Sequence, residues 1–215
     1  MAAKPAASPR RKPVQRRSID TVDAILEAAA QVFERHGYAA GTTNRIAERA
    51  GVSIGTVYQY FPDKDAILVA LVTRHLEEGT AVLVPIVGQL LSEPPPISEG
   101  LTRILEALLE LHRHQPQLHR VLFEEAPRPE HLQRDLDAAA DRATAAVAAY
   151  LRLRPEVQTR DPDLAAQMVV LVAETVTHGL VIHPRDGVDP AAYAHEAALM
   201  LERYLTGSDV PVRSH

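Results

Sequence analysis

The sequence predicts an all-α chain in which a small three-helix unit precedes a larger helical bundle, and three observations carry that prediction. Apolar residues recur at mixed three- and four-residue spacings from Ile19 to Leu205, the period of helices lying on a core. Glycines and prolines such as Gly37, Gly51, Pro62, Pro85, Pro94–Pro96, Pro116 and Pro190 punctuate those stretches. The core available to them is Leu, Val, Ile and Ala, because the 215 residues hold no Trp, three Phe and six Tyr. That length suits a small domain joined to a larger one. Four segments are expected: a basic arm over 1–17, a helix-turn-helix unit over 18–63, a helical bundle over 64–207 and a polar tail over 208–215.

The formal charge of −5 is unevenly spread. Lys4, Arg10, Arg11, Lys12, Arg16 and Arg17 give the arm +6 with no acid, leaving −11 on the remainder. Pro5, Pro9 and Pro13 predict an arm that is extended and disordered before it binds, able to run along phosphates or enter a minor groove, with a solubilising tail as the alternative. From Ser18 or Asp20 a first helix carries Ile19, Val22, Ile25, Leu26, Ala29, Val32 and Phe33 and ends at Gly37. Tyr38 then wedges against the core, and Gly41 opens the path to Thr42.

Thr42 to Lys64, TTNRIAERAGVSIGTVYQYFPDK, reads as two short helices around a tight turn. Ile46, Ala47 and Ala50 make the buried stripe of the first, Thr42 or Thr43 caps it, and Gly51 supplies the positive φ that stops it. Val52 plugs the turn, and Ser53 caps a second helix from Ile54 to Tyr60, with Val57 and Phe61 facing inward. Ile54, Gly55, Thr56, Gln59 and Tyr60 are left outside. That face lacks charge but offers an amide, hydroxyls, an aliphatic group and room for close backbone approach, the chemistry of base edges in a major groove. Tyr58, Tyr60 and Lys64 suit phosphates, and the capping residues Thr43 and Ser53 are counted among the candidate DNA contacts.

The same residues carry a family resemblance. The run T-x-x-x-I-A-x-x-A-G-V-S-x-G-x-x-Y-x-Y-F-x-x-K stands without a gap between Thr42 and Lys64, and residues 18 to 70 closely resemble the DNA-binding domain of TetR-type transcriptional regulators. The resemblance implies a dimeric, all-helical, one-component sensor that binds a palindromic operator in double-stranded DNA. It also implies a C-terminal ligand-binding and dimerisation domain. Asn44 and Arg45 match positions where family members touch DNA.

Past Phe61, Pro62 predicts the start of a helix with Ala66, Ile67, Ala70, Leu71, Arg74 and His75, ending near Gly79 or Pro85. This helix joins the DNA head to the bundle, so a ligand that moves it moves the reading helices. Ser92 to Pro96 is a rigid loop. A long helix from Ser98 carries Leu101, Ile104, Leu105, Leu108, Leu109 and Leu111. Pro116 opens a short helix through Phe123, and an Ala-rich helix runs from Glu130 to Leu153. Asp161 to His183 is the most apolar stretch, and Asp189 or Pro190 starts a last helix with a stripe of Tyr193, Ala197, Leu201, Tyr204 and Leu205. An excess of apolar surface on these last two helices predicts a four-helix homodimer interface.

Polar residues on the bundle's apolar faces are the clues to an unknown small-molecule effector. His112, Gln115 and His119 stand at offsets of three and four across Pro116, and Glu174 and His178 stand at i and i+4. With Phe123 and Tyr150 they are candidates for an effector pocket. A Glu174–His178 hydrogen bond and solvated histidines at a helix end are the structural alternative. Two imidazoles and a carboxylate could also coordinate a metal, but no motif such as H-E-x-x-H is present, so neither a metal nor another cofactor is expected. The absence of cysteine excludes disulfides, thiolate zinc sites and cysteine nucleophiles.

Three functions fit: a ligand-released repressor, a DNA-binding dimer with no small-molecule effector, and a helical enzyme using histidines. The enzyme is the weakest, because no nucleophile–base pair, phosphate loop or metal spacing is recognisable. Neither a signal core nor an uninterrupted apolar run of about 18 residues is visible, so the expectation is a cytoplasmic protein with no membrane partner.

Overall fold

The structure, a computed structural model, describes residues 12–113, 115–184 and 186–207. The first eleven residues of the basic arm and the tail from 208 lie outside them. The described residues hold helices and no strand, and the chain divides into two compact units at Leu71–Val72.

The first unit holds α1 (Lys12–Ala40), α2 (Thr43–Ala50), α3 (Ile54–Tyr60) and the opening turns of α4 (Lys64–Ser92). Helix already present at Lys12 places the start of α1 several residues before the expected Ser18 or Asp20. Gly37, at φ 69 and ψ 177, interrupts α1 as its position predicted. Ile25, Ala29, Phe33, Ile46, Val57, Ile67 and Leu68 are wholly buried and form the core of the unit. Gly41 lies against Phe33, and a Cβ there would overlap the ring and approach the Gly37 carbonyl oxygen to 2.9 Å.

Two expectations about α4 are corrected. Pro62 lies outside the helix, and Asp63 takes the capping role, its Oδ1 accepting from the Ala66 N–H at 2.8 Å. The helix also passes through Pro85 and ends only at Ser92. Pro85 forfeits one bond to the carbonyl four residues back, but Ala81, Val84 and Pro85 are all exposed, where water satisfies the freed group.

The second unit adds α5 (Ile97–His112), α6 (Pro116–Arg120), α7 (Glu130–Arg152), α8 (Pro162–Ile182) and α9 (Pro190–Thr206). Between α6 and α7, Val121–Glu125 winds as a π-helical turn closed by Ala126 N–H to the Val121 carbonyl at 3.0 Å. Asp161 and Asp189 cap α8 and α9 through their side chains. Helix α5 packs on α8 and α9, and α7 packs on α8. Ala148, Ala165, Ala166, Ala194, Ala197 and Ala198 are buried at those contacts, with Leu105, Leu151, Leu201 and Leu205 filling the space around them.

Helix α8 is long and apolar enough to cross a membrane by composition. It nonetheless buries Ala165, Ala166, Val169, Thr177, Val181 and Ile182 inside the unit. The expected α9 stripe is half right. Ala197, Leu201 and Leu205 point inward, whereas Tyr193 and Tyr204, on the flank of that stripe, are 45% and 47% exposed.

Candidate functional site

The α2–α3 pair is assembled by local chemistry. The Thr42 hydroxyl accepts from the Arg45 N–H at 3.3 Å, Gly51 closes α2 at φ 68 and ψ 27, and Val52 N–H returns to the Ala47 carbonyl at 3.1 Å. Ser53 Oγ then accepts from Thr56 N–H at 3.0 Å to start α3. Burial of Ile46, Ala47, Val57 and Phe61 fixes the rotation of both helices. What remains outward on α3 is Ile54, Gly55, Tyr58 and Gln59, all exposed, with Thr56 and Tyr60 half-buried. No ionic group lies on α3, whose residues are IGTVYQY.

The flanking polar residues are held by one another. Tyr58 Oη lies 3.2 Å from Thr43 Oγ1, which ties α3 to the first turn of α2. Tyr60 Oη accepts from Ser18 Oγ at 3.3 Å, and Arg45 donates to the Ala40 carbonyl at 3.0 Å. Lys64 donates to the Tyr38 carbonyl at 2.9 Å, with its ammonium 3.9 Å from the centre of the Tyr38 ring. Tyr38 in turn hydrogen-bonds Asp65 and packs on Phe33 at 5.9 Å between ring centres, the wedge the sequence predicted. Burial, reinforced by the Asp65 carboxylate, pushes its phenol well above the ordinary range, so it stays a neutral donor. An ammonium carries three donors, so Lys64 keeps two for a phosphate. Asn44 is exposed on the first turn of α2.

In the bundle the structure draws together a group that sequence reasoning only half assembles. His112 of α5, His119 of α6 and His178 of α8 meet His75 of α4 and Phe123 of the π-helical turn. His75, His112 and His119 stand 4.7–4.9 Å from one another between ring centres, and His178 stands 4.8 Å from His112. His112 and His119 are each 4% exposed, which corrects the alternative of solvated histidines at a helix end. His75 is absent from the sequence-derived candidates, though a signal exists: it continues the buried α4 stripe of Leu68, Leu71 and Val72 at helical spacing.

Two other candidates fall elsewhere. Tyr150 packs against the cluster of Ile97, Leu151 and Val169, with the Arg154 guanidinium 5.4 Å from its ring. Glu174 is exposed, and burial of part of its side chain raises its carboxyl pKa. No hydrogen bond joins Glu174 to His178 among the described residues, which corrects that structural alternative, and His178 Nε2 is buried without a hydrogen-bond partner among them. Two surface grooves lie beside the bundle, of about 490 Å³ near Glu106, Arg113 and Pro190 and about 630 Å³ along Val176, Tyr193 and Met200. Neither is lined by the histidines.

Residues 25–71 match the profile described as bacterial regulatory proteins, tetR family, and residues 96–205 match a tetracyclin repressor-like C-terminal domain. The transcriptional activator FasR of Mycolicibacterium smegmatis is 35% identical over 46% of this chain and 44% of its own length. The chain spans about half the length of the first curated relatives it matches. The repressor Rv1474c of Mycobacterium tuberculosis is 27% identical over 79% of this chain and 85% of its own. Among solved structures, a transcriptional regulator from Mesorhizobium loti superposes with a TM-score of 0.66 at 26% identity, covering 87% of this chain and 96% of that one. Bacillus subtilis FadR in complex with stearoyl-CoA shares the fold, with a TM-score of 0.65 at 21% identity over 83% and 96% of the two chains.

Proposed function

Because the chain belongs to the TetR family of bacterial regulatory proteins, we propose that it acts as a repressor that reads a palindromic operator as a homodimer and is released by a small-molecule effector in its second unit. DNA-binding regulation follows from the family; operator symmetry, dimer, effector and sign of regulation are the proposal. The observation that carries it is the outer face of α3, where Ile54, Gly55 and Gln59 stand exposed between two capped helix ends. Gln59 supplies an amide able to pair with adenine, Ile54 an aliphatic contact for a thymine methyl, and Gly55 close approach. Thr43, Asn44, Arg45, Ser53, Thr56, Tyr58, Tyr60 and Lys64 surround that face as candidates for phosphate or flanking contacts.

Dimerisation is supported by two unpartnered apolar stripes. Leu164, Met168 and Leu171 on α8 are 52%, 41% and 56% exposed at helical spacing, and Tyr193, Met200 and Tyr204 on α9 are 45%, 53% and 47% exposed. A two-fold axis beside α8 and α9 would cover both stripes, and a palindromic operator asks for two copies of α3 about one DNA turn, roughly 34–36 Å, apart. An effector releases such a dimer only if it binds the DNA-incompatible state more tightly than the other. The reading places the protein in the cytoplasm, where the operator is.

The test compares variants on operator and scrambled duplexes at stated salt. Gln59→Ala costs about 1–3 kcal/mol on the operator and relaxes sequence preference, while Lys64→Ala weakens all duplexes alike and lowers the salt slope by about one. Equal losses on every sequence for Gln59→Ala would remove it from base reading. Leu171→Glu, placing a charge on the α8 stripe, shifts the protein to monomer in sedimentation; an unchanged oligomer would move the interface off that face.

A further inference from the structure

The four clustered histidines, His112 and His119 buried and His75 and His178 half-buried, have no place in the DNA reading, and their geometry is unusual for side chains that only fill a core. Three helices each deliver one imidazole, and the nearest ring nitrogens of His75, His112 and His119 lie within 4.8 Å of one another. His75 Nε2 and His112 Nε2 are 3.2 Å apart. Two nitrogens bound at about 2.0–2.1 Å to one tetrahedral zinc ion stand about 3.3–3.4 Å apart, so that pair already has the spacing of two ligands.

The orientation of His112 is fixed from behind. Its Nδ1–H donates to the Leu108 carbonyl at 2.5 Å, which leaves the lone pair on Nε2 facing His75, the outer-shell bond common to metal-bound imidazoles. His119, 4% exposed, has a buried Nδ1 without a hydrogen-bond partner among the described residues, and so has His178 at Nε2. Unpartnered buried nitrogens are costly unless something satisfies them.

We propose that His75, His112 and His119 form a divalent transition-metal site of the zinc type, with a fourth position open on the side of His178. An all-imidazole set disfavours calcium and magnesium, which take oxygen ligands, and the cysteine-free chain supplies no thiolate for a soft ion such as Cu(I). Occupancy would tie α4 to α5 and α6 through one atom. The site does not depend on the DNA reading and stands or falls with metal binding itself.

The full chain, carrying no histidine tag, is titrated with Co²⁺ and then with Zn²⁺ as competitor. The expected result is one equivalent bound, the intense visible bands of tetrahedral Co²⁺, and their loss on adding Zn²⁺. His119→Leu and, independently, His75→Gln, each checked for native circular dichroism, should lose more affinity than the roughly 10–100-fold that removing an outer-shell partner costs. His131→Ala, at an exposed histidine, should change nothing. A weak octahedral Co²⁺ spectrum, or His119→Leu and His75→Gln binding as tightly as the parent, would overturn the site and place any metal on surface histidines.

Discussion

The residues proposed to face DNA all lie between Thr43 and Lys64, while the histidines that meet in the bundle come from positions 75, 112, 119 and 178 on four helices. In the first unit each step is set by a neighbour a few residues away: Thr42 caps α2, Gly51 ends it, Ser53 caps α3, and the i, i+4 pair Val57 and Phe61 turns the reading face outward. In the second unit no local rule brings His75 to His112; only the packing of whole helices does. The difference teaches that a site coded along the chain is built from satisfied bonds, whereas one coded across a bundle can hold groups that its own helices leave unsatisfied.

Substitutions sharpen that contrast through stability. Phe33→Ala empties the wholly buried centre of the first unit and should cost about 3–5 kcal/mol, abolishing DNA binding by loss of structure. A change below about 1 kcal/mol in urea unfolding would show that the α2–α3 pair stands without that core. Ser53→Ala removes the α3 cap bond and should cost about 0.5–2 kcal/mol, with Ser53→Thr restoring most of it. His119→Leu is expected to leave the metal-free protein as stable as the parent or slightly more so, because it removes a buried nitrogen that has no partner among the described residues. A loss comparable to that of Phe33→Ala would break the contrast and make His119 a structural residue.

Legibility in the sequence divides along the same line. The helix-turn-helix caps, the Gly37 break, the inward Val57 and Phe61, and the outward Ile54, Gly55 and Gln59 all depend on chemistry within four residues. The bundle's helices are also legible, since the prolines Pro94 to Pro96 and Pro116, with Asp161 and Pro190, mark their ends. Sequence reasoning cuts helix α4 short because Pro85 reads as a breaker when its exposure is unknown. It turns Tyr193 and Tyr204 inward because apolar spacing alone does not say which apolar face is covered by this chain. The partnership of His75 with His112, His119 and His178, and the separation of Tyr150 from them, are tertiary facts with no counterpart in spacing.

The central claim, that α3 reads bases from a dimer, is tested most directly by selecting bound duplexes from a random DNA pool with the parent protein and Gln59→Ala in parallel. The parent should recover a palindrome with half-sites about one helical turn apart, and Gln59→Ala should recover the same spacing with degeneracy at one base pair in each half-site. Recovery of an unrelated or unpaired sequence, or of identical palindromes by both proteins, would contradict the assignment of α3 and Gln59.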